Sequence, residues 1–229
     1  MAVNLEHLKQ QAALYALEHV QSGMTIGLGS GSTANYFIKA LGQKLKQGEL
    51  RDIVAVPSSQ RSEVLAQELG IALIELTTAG VDVAIDGMDE VDPKLNAIKG
   101  LGGAQTREKI VASSAKVFIL IGDETKMVKQ LGEKAPVPVE VLPFGYRATL
   151  GRLESLVTCV EQRMNGSEPF VTDNGNYIIH CHVTPPIDAH SLATAISIIP
   201  GVVEHGLFLA MAKIAYVATQ YDVLKLKAS

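Results

Sequence analysis

The sequence predicts an α/β protein: a mostly parallel sheet, followed by a second, smaller α+β domain. Three observations carry this. The first half alternates short apolar runs with amphipathic segments, the cadence of right-handed strand–helix–strand crossovers. Near residue 131 the rhythm breaks at Gly132-Glu133-Lys134-Ala135-Pro136-Val137-Pro138, a linker composition. Beyond it, Asp173-Asn174-Gly175-Asn176 is a strong hairpin turn.

Asn4 is placed to cap a first helix, in which Leu5, Leu8, Ala12, Tyr15 and His19 keep helical spacing and which Gly23 ends. Residues 24–28 read as a strand, 34–46 as a helix, and 53–56 as a second strand stopped by Pro57-Ser58-Ser59. A helix up to Gly70, strands at 71–76 and 81–85, a helix over 106–115 and a strand at 117–121 complete the first rhythm. The second part reads as strand 139–142, helix 147–160, strand 177–183, helix 188–199 ended by Pro200-Gly201, and strand 202–209, with a last strand at 214–218. This is a split βαββαβ, ferredoxin-like module over 132–206. Residues 1–131 with 207–229 then make the larger domain.

Length and composition narrow the function. A chain of 229 residues buries a core in one large or two modest domains. A net charge of −4 gives no basic surface for nucleic acid. No run reaches the ~18 apolar residues of a membrane span. The polar N-terminal stretch lacks a signal core. Cys159 and Cys181 show no pairing pattern and read as free thiols of a reducing compartment, so the expected location is the cytoplasm.

Two stretches carry chemistry. Gly29-Ser30-Gly31-Ser32-Thr33 follows a strand and opens a helix. Glycines let the backbone approach an anion, and the N–H groups of a helix start bind phosphate, with Ser30, Ser32 and Thr33 adding hydroxyls. The plainer role is a tight turn with Ser32 or Thr33 as helix cap, and both can hold. A dinucleotide would require a carboxylate about 20 positions on, at the end of the second strand; Pro57-Ser58-Ser59 stands there instead.

The second stretch is Asp86-Gly87-Met88-Asp89-Glu90-Val91-Asp92, then Lys99-Gly100-Leu101-Gly102-Gly103-Ala104 and Thr106-Arg107-Glu108-Lys109. Carboxylates at the C-terminal end of a buried strand lie where open α/β sheets keep their ligands. A solvated turn, a hard-metal site and acid/base work are the three readings, and the spacing does not match a calcium loop. Asp86 and Asp89 can face one pocket, Lys99 can supply a cation and Glu108 a base. Glu90 and Asp92 read as turn and surface residues. A phosphate grip, a carboxylate base and a lysine suit proton abstraction beside a carbonyl, which needs no metal or organic cofactor if fixed charges hold the enediolate.

These motifs, with Val137-Pro138-Val139-Glu140-Val141, Val171-Thr172-Asp173-Asn174-Gly175-Asn176 and Ile199-Pro200-Gly201-Val202-Val203, resemble the type A ribose-5-phosphate isomerase family over almost the whole chain. The resemblance implies a Rossmann-like domain with a smaller α+β domain for lid or oligomer contacts, a homodimer or homotetramer, and interconversion of two pentose phosphates in the pentose phosphate pathway. It implies Glu108 as the base, and Asp86 and Asp89 for ring opening and for holding sugar hydroxyls. It gives Lys99 with the Gly100, Leu101 and Gly102 backbone the oxyanion. It gives Ser30, Gly31, Ser32 and Thr33, Gly87 and Met88, and Lys126 to substrate, with Lys9 near a further family lysine.

Three positions depart from the family. Leu101 stands for a glycine and leaves its N–H available. Ser30 stands for a threonine. Met88 stands for a small residue and would crowd the pocket if it pointed inward. The rival class is a sugar-phosphate sensor that keeps the phosphate loop without the base. His180-Cys181-His182 places two histidines on one strand face with no third metal ligand nearby. Cys159, in an apolar helical stretch, reads as core packing.

Overall fold

The computed structural model describes residues 4–228. In chain order the elements are α1 (Leu5–Leu17), β1 (Thr25–Leu28), α2 (Ser32–Lys46), β2 (Val54–Pro57), α3 (Gln60–Glu68), β3 (Ala72–Leu73) and β4 (Val81–Gly87). Two short strands, β5 (Glu90–Val91) and β6 (Ala97–Ile98), precede α4 (Gln105–Ser113) and β7 (Ala115–Asp123). Then come β8 (Val137–Val141), α5 (Tyr146–Glu154), β9 (Cys159–Gln162), β10 (Met164–Asn165), β11 (Glu168–Pro169), β12 (Tyr177–His182) and α6 (Ala189–Ser197). The last strands are β13 (Val202–His205), β14 (Leu207–Phe208), β15 (Ile214–Ala218) and β16 (Val223–Lys227).

The chain forms two compact units. The first holds the described residues up to Met88, with Arg107–Lys126 and those from Ala210 onward; the second holds Asp89–Thr106 and Met127–Leu209. The division expected from sequence kept 89–106 in the larger domain, and here that segment goes with the smaller. The reason is pairing: β6 lies between β5 and β14 in a three-stranded sheet that belongs wholly to the second unit.

The first unit is built on a seven-stranded sheet of order β16-β15-β7-β4-β1-β2-β3. All its pairs are parallel except β15 with β16. This is the α/β sheet that the alternating pattern predicts. The apolar spacing of α1 puts Leu8, Ala12, Ala13, Ala16 and Leu17 into the core, where Phe37, Ile38 and Leu41 of α2 meet Ile26, Leu28, Ile85, Ile119 and Ile121 of the strands. Asn4 caps α1 by accepting the His7 N–H at 3.2 Å. The helix stops at Leu17, six residues before the glycine expected to end it. Strand β16, Val-Leu-Lys-Leu-Lys, escaped the sequence reading although its alternation is a strand signal; its lysines suit an exposed edge.

The second unit carries an antiparallel sheet of order β13-β8-β12-β9, covered on one face by Leu153, Ile196, Ile199 and their neighbours. Two expectations fail here. The helix expected over 147–160 ends at Glu154, because Val157-Thr158-Cys159-Val160 is rich in β-formers and Cys159–Gln162 pairs with β12. Cys159 is therefore exposed on a strand, not packed in a helix. The strand expected over 202–209 is two strands. At Gly206 the chain leaves β8 for β6: its N–H donates to Pro138 O at 2.7 Å and its carbonyl accepts the Lys99 N–H at 2.9 Å. A Cβ there would sit 2.2 Å from the Lys99 carbonyl oxygen, so only glycine allows this crossing.

Candidate active site

In the first unit the chemistry gathers at the C-terminal ends of β1, β2 and β4. Strand β4 ends in Asp86 and Gly87, and Asp86 is only 3% exposed. Its Oδ1 accepts the Ser30 N–H at 2.9 Å and the Gly87 N–H at 2.7 Å. Gly29 makes this possible, since a Cβ at that position would lie 2.2 Å from Asp86 Oδ1. The Gly-Ser turn is thus built around the carboxylate. Helix α2 starts at Ser32 with Gly31, at φ +94°, as its cap residue, and among the described residues no side chain caps it. Neither Ser32 nor Thr33 is the cap. The N–H groups of this helix start are the kind that bind an anion.

Glu108 lies in the first turn of α4 and is 4% exposed. It lines a tight seam, too narrow for a water molecule, with Gly27, Gly29, Ser58, Asp86, Val111 and Phe118. Gly27 lets α4 come close to β1, since its Cβ would fall 2.6 Å from Val111 Cγ1. The predicted base and one predicted aspartate therefore share one wall of the same unit. Met88 is buried, and both it and the stem of Lys126 lie over Gly122 of β7: a Cβ there would be 2.7 Å from Met88 Cε and 3.5 Å from Lys126 Cγ. Lys9 pairs with Glu6 at 2.6 Å on α1.

Sequence reasoning missed the hydroxyls around Ser30. Its Oγ lies 2.9 Å from Ser58 Oγ, 2.7 Å from Ser59 Oγ and 3.1 Å from Ser62 Oγ, and Ser62 Oγ donates to Gly29 O at 2.8 Å. The signal was present. Pro57-Ser58-Ser59 ends a parallel strand beside β1, a ligand position in open α/β sheets.

The second unit carries the rest of the motif. Asp89 donates its N–H to Ile98 O at 2.8 Å and accepts the Leu101 N–H on Oδ2 at 2.9 Å. The Leu101 N–H, expected to be available, is thus committed to a carboxylate. Gly100 and Gly103 both have positive φ and close a turn through the Gly103 N–H to Gly100 O at 2.8 Å. Lys99 is 2% exposed, with Nζ 5.3 Å from the Phe208 ring centre.

Glu90 corrects another expectation: it is fully buried and accepts the N–H groups of Gly132, Lys134 and Ala135 at 2.5–2.6 Å. It organises the 132–135 loop and is no surface residue. Asp92 holds its own turn through Lys94 and Asn96. On β12, burial first and then the Arg163 charge hold the His180 imidazole below its ordinary range, against the opposing Glu161 and Asp89 charges. Among the described residues no group of three His, Cys, Asp or Glu side chains could hold a metal ion.

A Gly-Ser turn at a helix start, set against a buried aspartate at a parallel strand end and a buried glutamate in a helix's first turn, defines an α/β enzyme for a small anionic substrate. Residues 54–222 match the family ribose 5-phosphate isomerase A (phosphoriboisomerase A). The ribose-5-phosphate isomerase A of Deinococcus radiodurans is 48% identical over 224 residues, covering 98% of this chain and 99% of that protein. That of Pyrococcus horikoshii is 45% identical over 228 residues, covering 98% and 100%. A D-ribose-5-phosphate isomerase solved in complex with phospho-erythronic acid superposes with a TM-score of 0.94 at 45% identity, covering 98% and 100% of the two chains. The ribose 5-phosphate isomerase of Plasmodium falciparum also gives 0.94, at 42% identity, covering 97% and 99%. The chain belongs to the ribose 5-phosphate isomerase A family.

Proposed function

We propose that this protein interconverts D-ribose 5-phosphate and D-ribulose 5-phosphate by moving a proton between C2 and C1 through an enediolate, in the non-oxidative branch of the pentose phosphate pathway. The observation that carries this reading is the pair of buried carboxylates, Glu108 and Asp86, brought to one tight seam behind the Gly-Ser turn. Glu108 is the base. Its low exposure strips it of competing water, which strengthens its interaction with a bound substrate. Asp86 and Asp89 assist ring opening and hold sugar hydroxyls. Lys99, with the backbone of Gly100 and Gly102 but not the Leu101 N–H that Asp89 already holds, takes up the developing oxyanion, a fixed positive charge doing what a metal would otherwise do.

The Ser30–Thr33 turn, Gly87, Met88 and Lys126 bind the phosphorylated chain. Because the Ser30 hydroxyl is already engaged by three serines and its N–H by Asp86, its share comes through the shape of the turn. The relative solved with phospho-erythronic acid supports a sugar-phosphate ligand. The enzyme is cytoplasmic and works as a homodimer or homotetramer. Exposed Leu142, Phe144, Ile198 and Val203 in the second unit support an oligomer, since apolar side chains of this size suit a covered face.

A coupled assay of the purified protein with D-ribose 5-phosphate in EDTA tests the reading. Turnover without added metal is expected. No turnover with or without metal would overturn it and favour the sensor class; turnover lost in EDTA and restored by zinc or magnesium would overturn the metal-free chemistry alone.

A further inference from the structure

Two of the sequence motifs that no step of the proposed chemistry uses, those around Glu140 and around Thr172–Asn176, meet at one carboxylate. Glu140 is fully buried in β8, one residue from its C-terminal end. Its Oε1 accepts Thr172 Oγ1 at 2.9 Å, Asn174 Nδ2 at 3.1 Å and Asn176 Nδ2 at 2.8 Å. Its Oε2 accepts the hydroxyl of Thr106. A buried charge is costly unless donors satisfy it, and here both oxygens are satisfied. Three of the four donors come from the 172–176 turn. The fourth is the second residue of α4, the helix that presents Glu108 two residues later. A neutral apolar pair would fill this site at less cost in desolvation. What a carboxylate adds is direction: it locks one hydroxyl of α4 at one point.

We propose that the Thr106–Glu140 pair is a positioning device that sets the start of α4, and through it the place of the Glu108 carboxylate. The proposal rests on Glu108 being the base. Thr106 and Glu140 do not touch the substrate; they act through the first turn of one continuous helix. Reacting groups lose about 10²-fold in rate for a 1 Å misplacement, so a small slack at the helix start reaches turnover without reaching affinity.

The test uses the full chain with kcat, KM and melting temperature measured together. Thr106→Val removes the hydroxyl and keeps the shape; kcat is expected to fall about 10–100-fold with KM within about twofold. Thr106→Ser restores the hydroxyl and is expected to recover most of that loss. Thr172→Val removes a donor from the other oxygen; it lowers the melting temperature and leaves kcat in place. Glu140→Gln keeps an acceptor toward the three Oε1 donors and can donate to the Thr106 oxygen, so it is expected to retain far more of kcat than Glu140→Ala.

If Thr106→Val and Thr172→Val lower kcat equally, or if Thr106→Val turns over like the parent, the pair is merely structural and the proposal is overturned. Glu108→Gln is measured alongside. An inactive Glu108→Gln with an unaffected Thr106→Val sinks the positioning role alone. A fully active Glu108→Gln sinks the base assignment, and the positioning role with it.

Discussion

Gly29→Ala is the perturbation whose consequence the geometry states most sharply. The new methyl would sit 2.2 Å from Asp86 Oδ1, 2.3 Å from its Cγ and 2.5 Å from its Cα. Ordinary contact begins near 3.5 Å, so something must move by about 1 Å. Two of the three close atoms belong to the carboxylate and the third to the β4 backbone, so no flexible side-chain end can absorb the shift. Forcing an extra carbon into a packed site costs about 1–3 kcal/mol. If the carboxylate yields, it strains its bonds to the Ser30 and Gly87 N–H groups, which are worth about 1.5–3 kcal/mol each because the acceptor is charged.

The protein will relax along the cheaper route, so the net cost is about 2–3 kcal/mol. For a chain of this size that lowers the melting temperature by about 4–12 °C. Displacing Asp86 by about 1 Å should also lower kcat/KM about 10²-fold. Gly80→Ala is the control. It meets Ser114 O at 2.2 Å at a positive φ, but at the opposite, N-terminal end of β4. It should lose stability and keep kcat/KM. Calorimetry and the coupled isomerase assay read both. A Gly29→Ala protein that melts lower yet keeps the kcat/KM of Gly80→Ala would refute the claim that this glycine exists to seat Asp86.

The two cysteines should differ in reactivity. Burial pushes the Cys181 thiol up to about 12, whereas Cys159 is exposed, so a thiol reagent at pH 8 should titrate one group quickly and the second only after denaturation; two fast groups would contradict this. Asp82 is held below its ordinary 3.8 by the Lys116 ammonium and then by the Thr25 N–H. Its contribution to stability is therefore present above that value and lost as pH falls through the lowered one. Asp82→Asn should melt lower than the parent at pH 7 and lose less on acidification below about pH 4; parallel melting-temperature curves for the two proteins would count against it.

Much of the first unit was legible because its elements announce themselves locally. Strand ends at Gly29, Pro57 and Asp86, and the helix spacing of α1, follow from residues a few positions apart. What escaped depended on partners far along the chain. Glu90 looks like part of a solvated acidic turn, and only the N–H groups of residues 132–135, more than forty positions on, make it a buried anchor. The stretch 157–160 is apolar enough for either period, and pairing with β12 decides for strand. The division at Gly206 is set by the approach of Lys99 and Pro138, which no local pattern records. The same holds at the site. Asp86 and Glu108 could be picked out by their place at a strand end and a helix start. The commitment of the Leu101 N–H to Asp89 could not, and although the end of β2 signalled Ser58 and Ser59, their convergence with Ser62 on the Ser30 hydroxyl is written in no local pattern.

The central claim is that Glu108 moves the proton between the two carbons. Following deuterium from solvent into the carbon-bound positions of the pentose phosphates in D₂O tests it most directly. The parent protein should incorporate label as it turns over, and Glu108→Gln should slow incorporation by roughly 10²–10⁴-fold while still binding the substrate. Incorporation by Glu108→Gln at the parent rate would contradict the account.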